Sequence, residues 1–254
     1  MAQIQHFVVD FCLPGRPASP MSPLSADGTN FLSKRLALLT LAHVLGTVGY
    51  VSIIAMAPVI RTEIDLNATQ AGTFMSAFYL ALTISALPAG TMIDHIGVGW
   101  VLAISMVLLV LETLTFALAD EYLLAVVSTF VMGLGYGLVN PATAKGVLEW
   151  FEPTRRATAM CIKQTGVPIG GLLASACAAA VVVISWRMVL LIISGGTITL
   201  GIIWLRFKEV SKDRIASRSS SILTDIRTAT FNRGVATMNR AGIAFNAVQQ
   251  SVVT

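Results

Sequence analysis

Three ionisable side chains lie inside long apolar runs of this sequence, and they are the first candidates for chemistry. Lys163 could hold an anionic group, with Gln164 beside it as a hydrogen-bond partner. Glu112 could carry a proton, and His43 could relay one near neutral pH. Each also has a structural interpretation. Lys163 could extend to the aqueous end of its run, Glu112 could be neutral or locally paired, and His43 could bond a neighbouring carbonyl.

The composition of the chain shows what solvent surrounds these residues. The sequence has 254 residues, of which 55% are hydrophobic and only 12% charged. A water-soluble domain usually carries about 25% charged residues. The balance excludes collagen-like, disordered and disulfide-scaffold classes. We therefore expect lipid to be the main solvent of this chain.

The apolar residues are grouped in six charge-poor runs, each near the length of about 20 residues that a bilayer requires. The runs are too long for strands and too uniformly apolar for surface helices. We predict an all-α integral membrane protein whose residues 36–205 form a six-helix transmembrane bundle. The predicted spans are Leu36–Ile60, Ala71–Ile93, Trp100–Leu118, Tyr122–Ala144, Ala157–Ser185 and Met188–Leu205.

The basic residues predict how the chain is oriented. They are concentrated before the first span, around Arg155 and Arg156, and after the sixth span, whereas the opposite loops contain only Arg61 and Arg187. Cytoplasmic loops of membrane proteins carry the excess of Lys and Arg. The pattern predicts a multi-pass inner-membrane protein with both termini in the cytoplasm.

The segments outside the six runs are predicted from composition. Residues 1–35 are interpreted as a disordered cytoplasmic tail, although prolines at every third position could form a polyproline II docking motif. Residues 206–233 are interpreted as a basic cytoplasmic linker. Residues 234–254 could form an interfacial helix or the start of a truncated seventh span. Asn246, Gln249 and Gln250 favour the second interpretation, since they suit a helix facing a wet cavity.

Two glycine motifs carry a family resemblance. Gly90, Asp94 and Gly97 lie in the turn after the second span, where Gly90 would admit a close helix and Gly97 a tight reversal. Asp94 could accept hydrogen bonds from the N-terminus of an opposing helix. This turn, which lies between the second and third of the six spans, resembles the signature loop of the major facilitator superfamily.

The second motif lies in the fifth span and resembles the glycine-proline element of the same superfamily. In that family the element is a kinked, closely packed helix. The resemblance implies two six-helix bundles with twelve spans, each bundle built from an inverted repeat. This chain would then supply the first bundle, and its partner would be the missing C-terminal six-helix half. The residues of the second motif are Gly166, Pro168, Gly170 and Gly171.

The resemblance also implies which side chains meet a substrate. The first and fourth spans line the cavity in this family, so Tyr50, Tyr136 and Asn140 become candidate substrate contacts beside Lys163 and Gln164. Hydrogen bonds between helices are their alternative role. The third span, which contains Glu112, is scaffold in the family, so a structural role of that residue is favoured.

The function implied is secondary active transport by alternating access, coupled to protons through His43 or Glu112. Lys163 favours a small organic or inorganic anion as substrate, and Asn140-Pro141 with Lys163-Gln164 resembles the cyanate and organic-anion branches. A multidrug-type exporter and a non-transporting truncated fragment remain alternatives. We expect no enzyme activity, because Ser128 lacks the setting of a nucleophile and a nearby histidine. We also expect no cofactor, no metal and no nucleic-acid partner.

Overall fold

The computed structural model of the protein describes residues 26–206, with side chains from Lys34 onward. The predicted tail before residue 26, the linker and the apolar C-terminal segment lie outside the described residues. Within this range every regular element is helical and no strand occurs. The helices are α1 (Ala26–Glu63), α2 (Ala68–Ile96), α3 (Val98–Ala117), α4 (Tyr122–Trp150), α5 (Pro153–Gln164), α6 (Gly166–Ala180) and α7 (Trp186–Arg206).

Five of the described helices are long and apolar enough to cross a membrane: α1, α2, α3, α4 and α7. Their positions confirm five of the six predicted spans, with different ends. The first helix begins at Ala26 rather than at Leu36, so the last residues of the predicted tail are helical. The fourth helix continues past Ala144 to Trp150. Hydropathy identifies only the apolar part of a helix, and both extensions contain charged residues.

The fifth predicted span consists of two helices, α5 and α6, which follow one another from Pro153 to Ala180. Together they cover about 42 Å at 1.5 Å per residue, enough to cross a bilayer. Pro168 lacks a backbone N–H, so the carbonyl of Gln164 loses its helical donor and the helix is interrupted at Thr165. The span ends at Ala180 rather than at the predicted Ser185.

Local signals set two of the helix ends. The backbone N–H of Gln70 donates to Oδ1 of Asn67 at 2.8 Å, and the N–H of Asn67 donates to Oε1 of Gln70 at 2.9 Å. This reciprocal cap starts α2 by satisfying amides that have no partner inside the helix. At the other end Gly97 has φ 90°, a conformation open to glycine, and reverses the chain between α2 and α3. The predicted reversal at Gly97 is confirmed.

The helices pack as one bundle. Helix α4 lies against both α2 and α3, α3 packs against α7, and α1 packs against α6. At one end of the bundle Arg187 at the start of α7 donates to Oδ1 of Asp120 at 2.8 Å and to the carbonyl of Ala117 at 2.7 Å. It also pairs with Glu63 at 3.2 Å. Arg187 therefore joins the ends of α1, α3 and α7.

Candidate functional site

The centre of the candidate site is the amine of Lys163, near the end of α5. The side chain is only 3% exposed, so it does not extend to the aqueous surface. Its Nζ donates to Oδ1 of Asn140 at 2.9 Å and to Oγ1 of Thr143 at 3.2 Å, both on α4. Nε2 of His43 on α1 lies 3.3 Å from the same nitrogen. We call His43, Asn140, Thr143 and Lys163 the amine cluster.

The amine cluster contains no negative charge. None of the ion pairs formed by the described residues includes Lys163, and none of its three hydrogen-bond partners is an acidic side chain. A buried ammonium without a counter-charge is costly. Asn140 is exposed, so the cluster is reached from the surface of the bundle. The arrangement is suited to receive an anionic group, whose charge would balance a protonated Lys163.

The glycines of the fifth span bring Lys163 to His43. A Cβ placed on Gly166 would lie 2.6 Å from the carbonyl oxygen of Thr40 and 2.8 Å from Cβ of His43. A Cβ on Gly170 would lie 2.7 Å from the carbonyl oxygen of Val44. Only glycine lets α6 approach α1 this closely. Gly166 and Gly170 are thus the two glycines of the motif at which α6 lies closest to α1.

Three parts of the glycine predictions differ from the structure. A Cβ on Gly171 would meet no atom within 4 Å, and the same is true of Gly90. No described helix therefore packs closely against either residue. For Gly171 the reason is its position on α6, where it is rotated away from the face formed by Gly166 and Gly170. Pro168 is exposed and acts by interrupting the helix rather than by packing.

An aromatic cluster lies beside the amine cluster. The ring centroid of Tyr50 is 5.1 Å from that of Phe78 and 5.1 Å from that of Tyr136, and the rings of Phe78 and Tyr79 are 5.2 Å apart. The hydroxyl of Tyr136 lies 3.2 Å from Oγ1 of Thr47. We call Tyr50, Phe78, Tyr79 and Tyr136 the aromatic cluster. It joins α1, α2 and α4 and brings together the two tyrosines predicted from the sequence.

The two clusters form one strip because α1 and α4 carry matching spacings. Residues 43, 47 and 50 of α1 lie four and three positions apart, as do residues 136, 140 and 143 of α4. Such spacings place side chains on one face of a helix. His43 contacts Thr143 at 2.9 Å, and Thr47 contacts Tyr136, so the two faces meet in antiparallel order. Thr47 and Thr143 were not predicted, although this spacing is visible in the sequence.

Gln164 does not take the predicted place beside Lys163. It is exposed, and no hydrogen bond of its side chain to a described residue is present. Consecutive residues of a helix point in different directions, which separates Gln164 from the amine. Lys163 is bonded to Asn140 and Thr143 on α4 instead of to Gln164 on its own helix.

Glu112 lies apart from the site. It is fully buried on α3, where Oε2 accepts from the hydroxyl of Thr113 at 3.2 Å and Oε1 has no partner among the described residues. No hydrogen bond between described residues joins it to the amine cluster. His43 contacts Lys163 and Thr143 rather than a backbone carbonyl. The two residues predicted as proton carriers are therefore not brought together.

The turn after α2 has an ion pair of its own. Oδ1 of Asp94 lies 2.9 Å from Nζ of Lys145 on α4. Both side chains are partly exposed, at 38% and 39%. The sequence predicted a helix N-terminus as the partner of Asp94, and Lys145 is a partner that the motif alone did not indicate. The pair connects the signature turn to the helix that contains Asn140 and Thr143.

No group of three or more His, Cys, Asp or Glu side chains in the described part of the chain could hold a metal ion. The chemistry available in the site is hydrogen bonding, charge and aromatic contact. A sequence profile of the Major Facilitator Superfamily matches residues 38–252. The chain belongs to the major facilitator superfamily.

Relatives within the superfamily include a hexuronate transporter of Bacillus subtilis, 26% identical over 190 residues. The match covers 73% of this chain and 45% of that transporter. A galacturonate transporter of Dickeya chrysanthemi is 28% identical over 180 residues, which are 70% of this chain and 52% of that protein. The chain thus spans about half the length of the curated relatives it matches.

Solved structures show the fold independently. A bacterial homologue of the human lysosomal transporter Spinster, in an inward-facing and unoccupied conformation, matches with a TM-score of 0.63 at 21% identity. The match covers 70% of this chain and 43% of the other. The described helices therefore have the fold of the N-terminal half of a major facilitator, and the chain is a multi-pass membrane protein.

Proposed function

We propose that this chain forms the N-terminal bundle of a secondary active transporter that moves small organic anions by alternating access. The observation that carries the proposal is the buried amine of Lys163, whose three hydrogen-bond partners among the described residues include no carboxylate. A charged group in the interior of a membrane protein is costly and usually functional. A substrate carboxylate would supply the missing counter-charge.

The substrate class we propose is a carboxylated sugar or a similarly polar organic acid. Asn140 offers an amide to substrate hydroxyls, and the half-buried rings of Tyr50 and Tyr136 offer an aromatic surface beside the amine. Two of the relatives are named as hexuronate and galacturonate transporters, which supports this class. An inorganic anion would use the amine but not the aromatic cluster, so the organic class is favoured.

The rest of the transport cycle follows from the family. A second six-helix bundle completes the cavity, and rocking of the two bundles exposes the site to each side in turn. We place both termini in the cytoplasm and the protein in the inner membrane, because the basic residues are concentrated on one side. Gly90, Asp94 and Gly97 form the gating turn. Uptake is driven by protons, with His43 and Glu112 as the candidate carriers.

The proposal is tested by uptake of labelled D-galacturonate into proteoliposomes that contain the complete transporter, which is this chain with its second bundle. Lys163→Gln should reduce uptake at least about tenfold, since a charge-assisted hydrogen bond contributes about 1.5–3 kcal/mol. Lys34→Gln is the matched control, because Lys34 is an exposed lysine on α1. Unchanged uptake in Lys163→Gln would contradict the proposal.

Competition separates the substrate alternatives. Excess D-glucuronate should inhibit galacturonate uptake, whereas cyanate and cationic drugs should not. Inhibition by a cationic drug alone would favour a multidrug exporter. This chain expressed without the second bundle should not transport, because one wall of the cavity is then missing.

A further inference from the structure

The contact between Lys163 and His43 constrains where protons can reside in the site. Nζ of Lys163 lies 3.3 Å from Nε2 of His43, and both side chains are at most 3% exposed. Two nitrogens in contact can share one hydrogen between them, so both cannot direct an N–H at the other. The protonation of one residue is therefore linked to the hydrogen arrangement of the other.

The hydroxyl of Thr143 favours one arrangement in the empty site. Its oxygen lies 2.8 Å from the carbonyl oxygen of Val139 and 3.1 Å from that of Asn140, so its one hydrogen has a backbone acceptor within its own helix. When the hydroxyl donates there, its oxygen accepts from Lys163, and its contact of 2.9 Å with His43 then places a hydrogen on Nε2. A nitrogen that already carries a hydrogen cannot accept another. Nε2 in this state therefore cannot accept the third N–H of an ammonium group on Lys163.

In that arrangement a neutral amine fits the contacts of the cluster. Its two hydrogens serve Asn140 and Thr143, and its lone pair faces the one N–H of His43, which Nζ shares with Oγ1 of Thr143. An ammonium would require the hydrogen of His43 to be on Nδ1 instead. Nδ1 is buried and has no hydrogen-bond partner among the described residues. The geometry of the empty site therefore suits an uncharged Lys163.

The described groups around the amine offer no negative charge to balance a proton. Helix α6 contains no charged side chain between Gly166 and Ala180. On α4, Tyr136 contacts Thr47, while Lys145 pairs with Asp94 and Glu149 at the end of the helix. On α5, Nε of Arg156 is bonded to the carbonyl of Phe151. Among the ionisable side chains of these elements and α1, His43 is the one in hydrogen-bond contact with Lys163.

We propose that Lys163 and His43 form a proton-holding pair that becomes charged when the anionic substrate binds, so that anion and coupling proton occupy one site. The inference rests on the proposed function and replaces Glu112 as the carrier. A proton from solution adds to the lone pair of Nζ, while His43 loses the hydrogen on Nε2 and gains one on Nδ1, so it stays neutral. The site gains one proton and one negative charge. Release of the anion on the other side reverses both steps.

The experiment measures proton uptake when D-galacturonate binds to the purified complete transporter in weakly buffered detergent solution with a pH indicator dye. The wild type should take up about one proton per anion bound. His43→Gln presents an amide oxygen that stabilises an ammonium on Lys163 permanently. In this variant the number of protons taken up per galacturonate bound should fall to less than a quarter of the wild-type value, whatever the change in affinity.

The possible results decide separately on the inference and on the function. Binding by the wild type without proton uptake overturns the inference while the anion transporter stands. Proton uptake that persists in His43→Gln and is lost in Glu112→Gln also overturns it. Absence of binding for galacturonate and for every other carboxylate tested contradicts the proposed function itself. The number of protons taken up per anion is measured on the wild type without any substitution. If His43→Gln fails to fold, His43→Asn provides a second variant.

Discussion

Gly166 of α6 packs directly on His43 of α1, at a distance that leaves no space for a side chain. A Cβ on Gly166 would lie 2.8 Å from Cβ of His43 and 2.6 Å from the carbonyl oxygen of Thr40. This contact places Lys163, three residues earlier in the chain, against the imidazole. The glycine motif of the fifth span thus determines the geometry of the amine cluster.

Gly166→Ala should destabilise the bundle by about 1–3 kcal/mol, because α6 must move away from the backbone of α1. The shift should also separate Lys163 from His43 and lower galacturonate uptake severalfold. Thermal unfolding in detergent and uptake into proteoliposomes measure the two effects. Gly171→Ala is the matched control: it has open space around its Cβ, and alanine is the better helix former. Equal losses in both variants would contradict the packing argument.

The cluster of Arg187 should support the opposite end of the bundle. Arg187→Gln removes hydrogen bonds to Asp120, to Glu63 and to the carbonyl of Ala117. The carboxylates of Asp120 and Glu63 are exposed, so we expect a loss of only about 1–2 kcal/mol of unfolding free energy. Arg187→Lys should recover less than half of the loss, since an ammonium lacks the planar fork. A thermal shift assay checks this, and full recovery with lysine would show that charge alone suffices.

The ion pair between Asp94 and Lys145 should affect the rate of transport more than stability. Both residues are partly exposed, so the pair contributes about 0–1 kcal/mol to folding. If the turn works as a gate, Asp94→Asn and Lys145→Gln should each lower the maximal uptake rate and leave the apparent affinity for galacturonate unchanged. The exchanged pair Asp94→Lys with Lys145→Asp should recover part of the rate. A double variant slower than the two single variants combined would contradict a direct interaction.

The sequence predicted the spans and the residue at the centre of the site, because both depend on local composition. Lys163 was identified as a charge inside an apolar run. Its partners could not be identified in that way, since Asn140 and His43 lie 23 and 120 positions away. Their proximity depends on how α1, α4 and α5 pack. The matching spacing of polar residues on α1 and α4 was a local signal that would have indicated Thr47 and Thr143.

Two of the wrong predictions have a common physical cause. Gln164 was placed beside Lys163, and Gly171 beside Gly170, because they are neighbours in the sequence. Adjacent residues of an α-helix are rotated by about 100° from each other, so neighbours in sequence face different surroundings. Glu112 was a second candidate proton carrier because it is a carboxylate in an apolar run, and the fold places it on α3 without a hydrogen bond to the amine cluster.

In the proposed function a positive charge at position 163 recognises the anion, and chemical rescue tests this role most directly. Lys163→Cys is introduced into the complete transporter after its native cysteines have been replaced by alanine, and galacturonate uptake is measured before and after thiol modification. The cysteine variant should be inactive, and aminoethyl methanethiosulfonate, which rebuilds a charged amine, should restore uptake. Neutral methyl methanethiosulfonate should not. Uptake by the unmodified cysteine variant, or equal rescue by both reagents, would contradict the account.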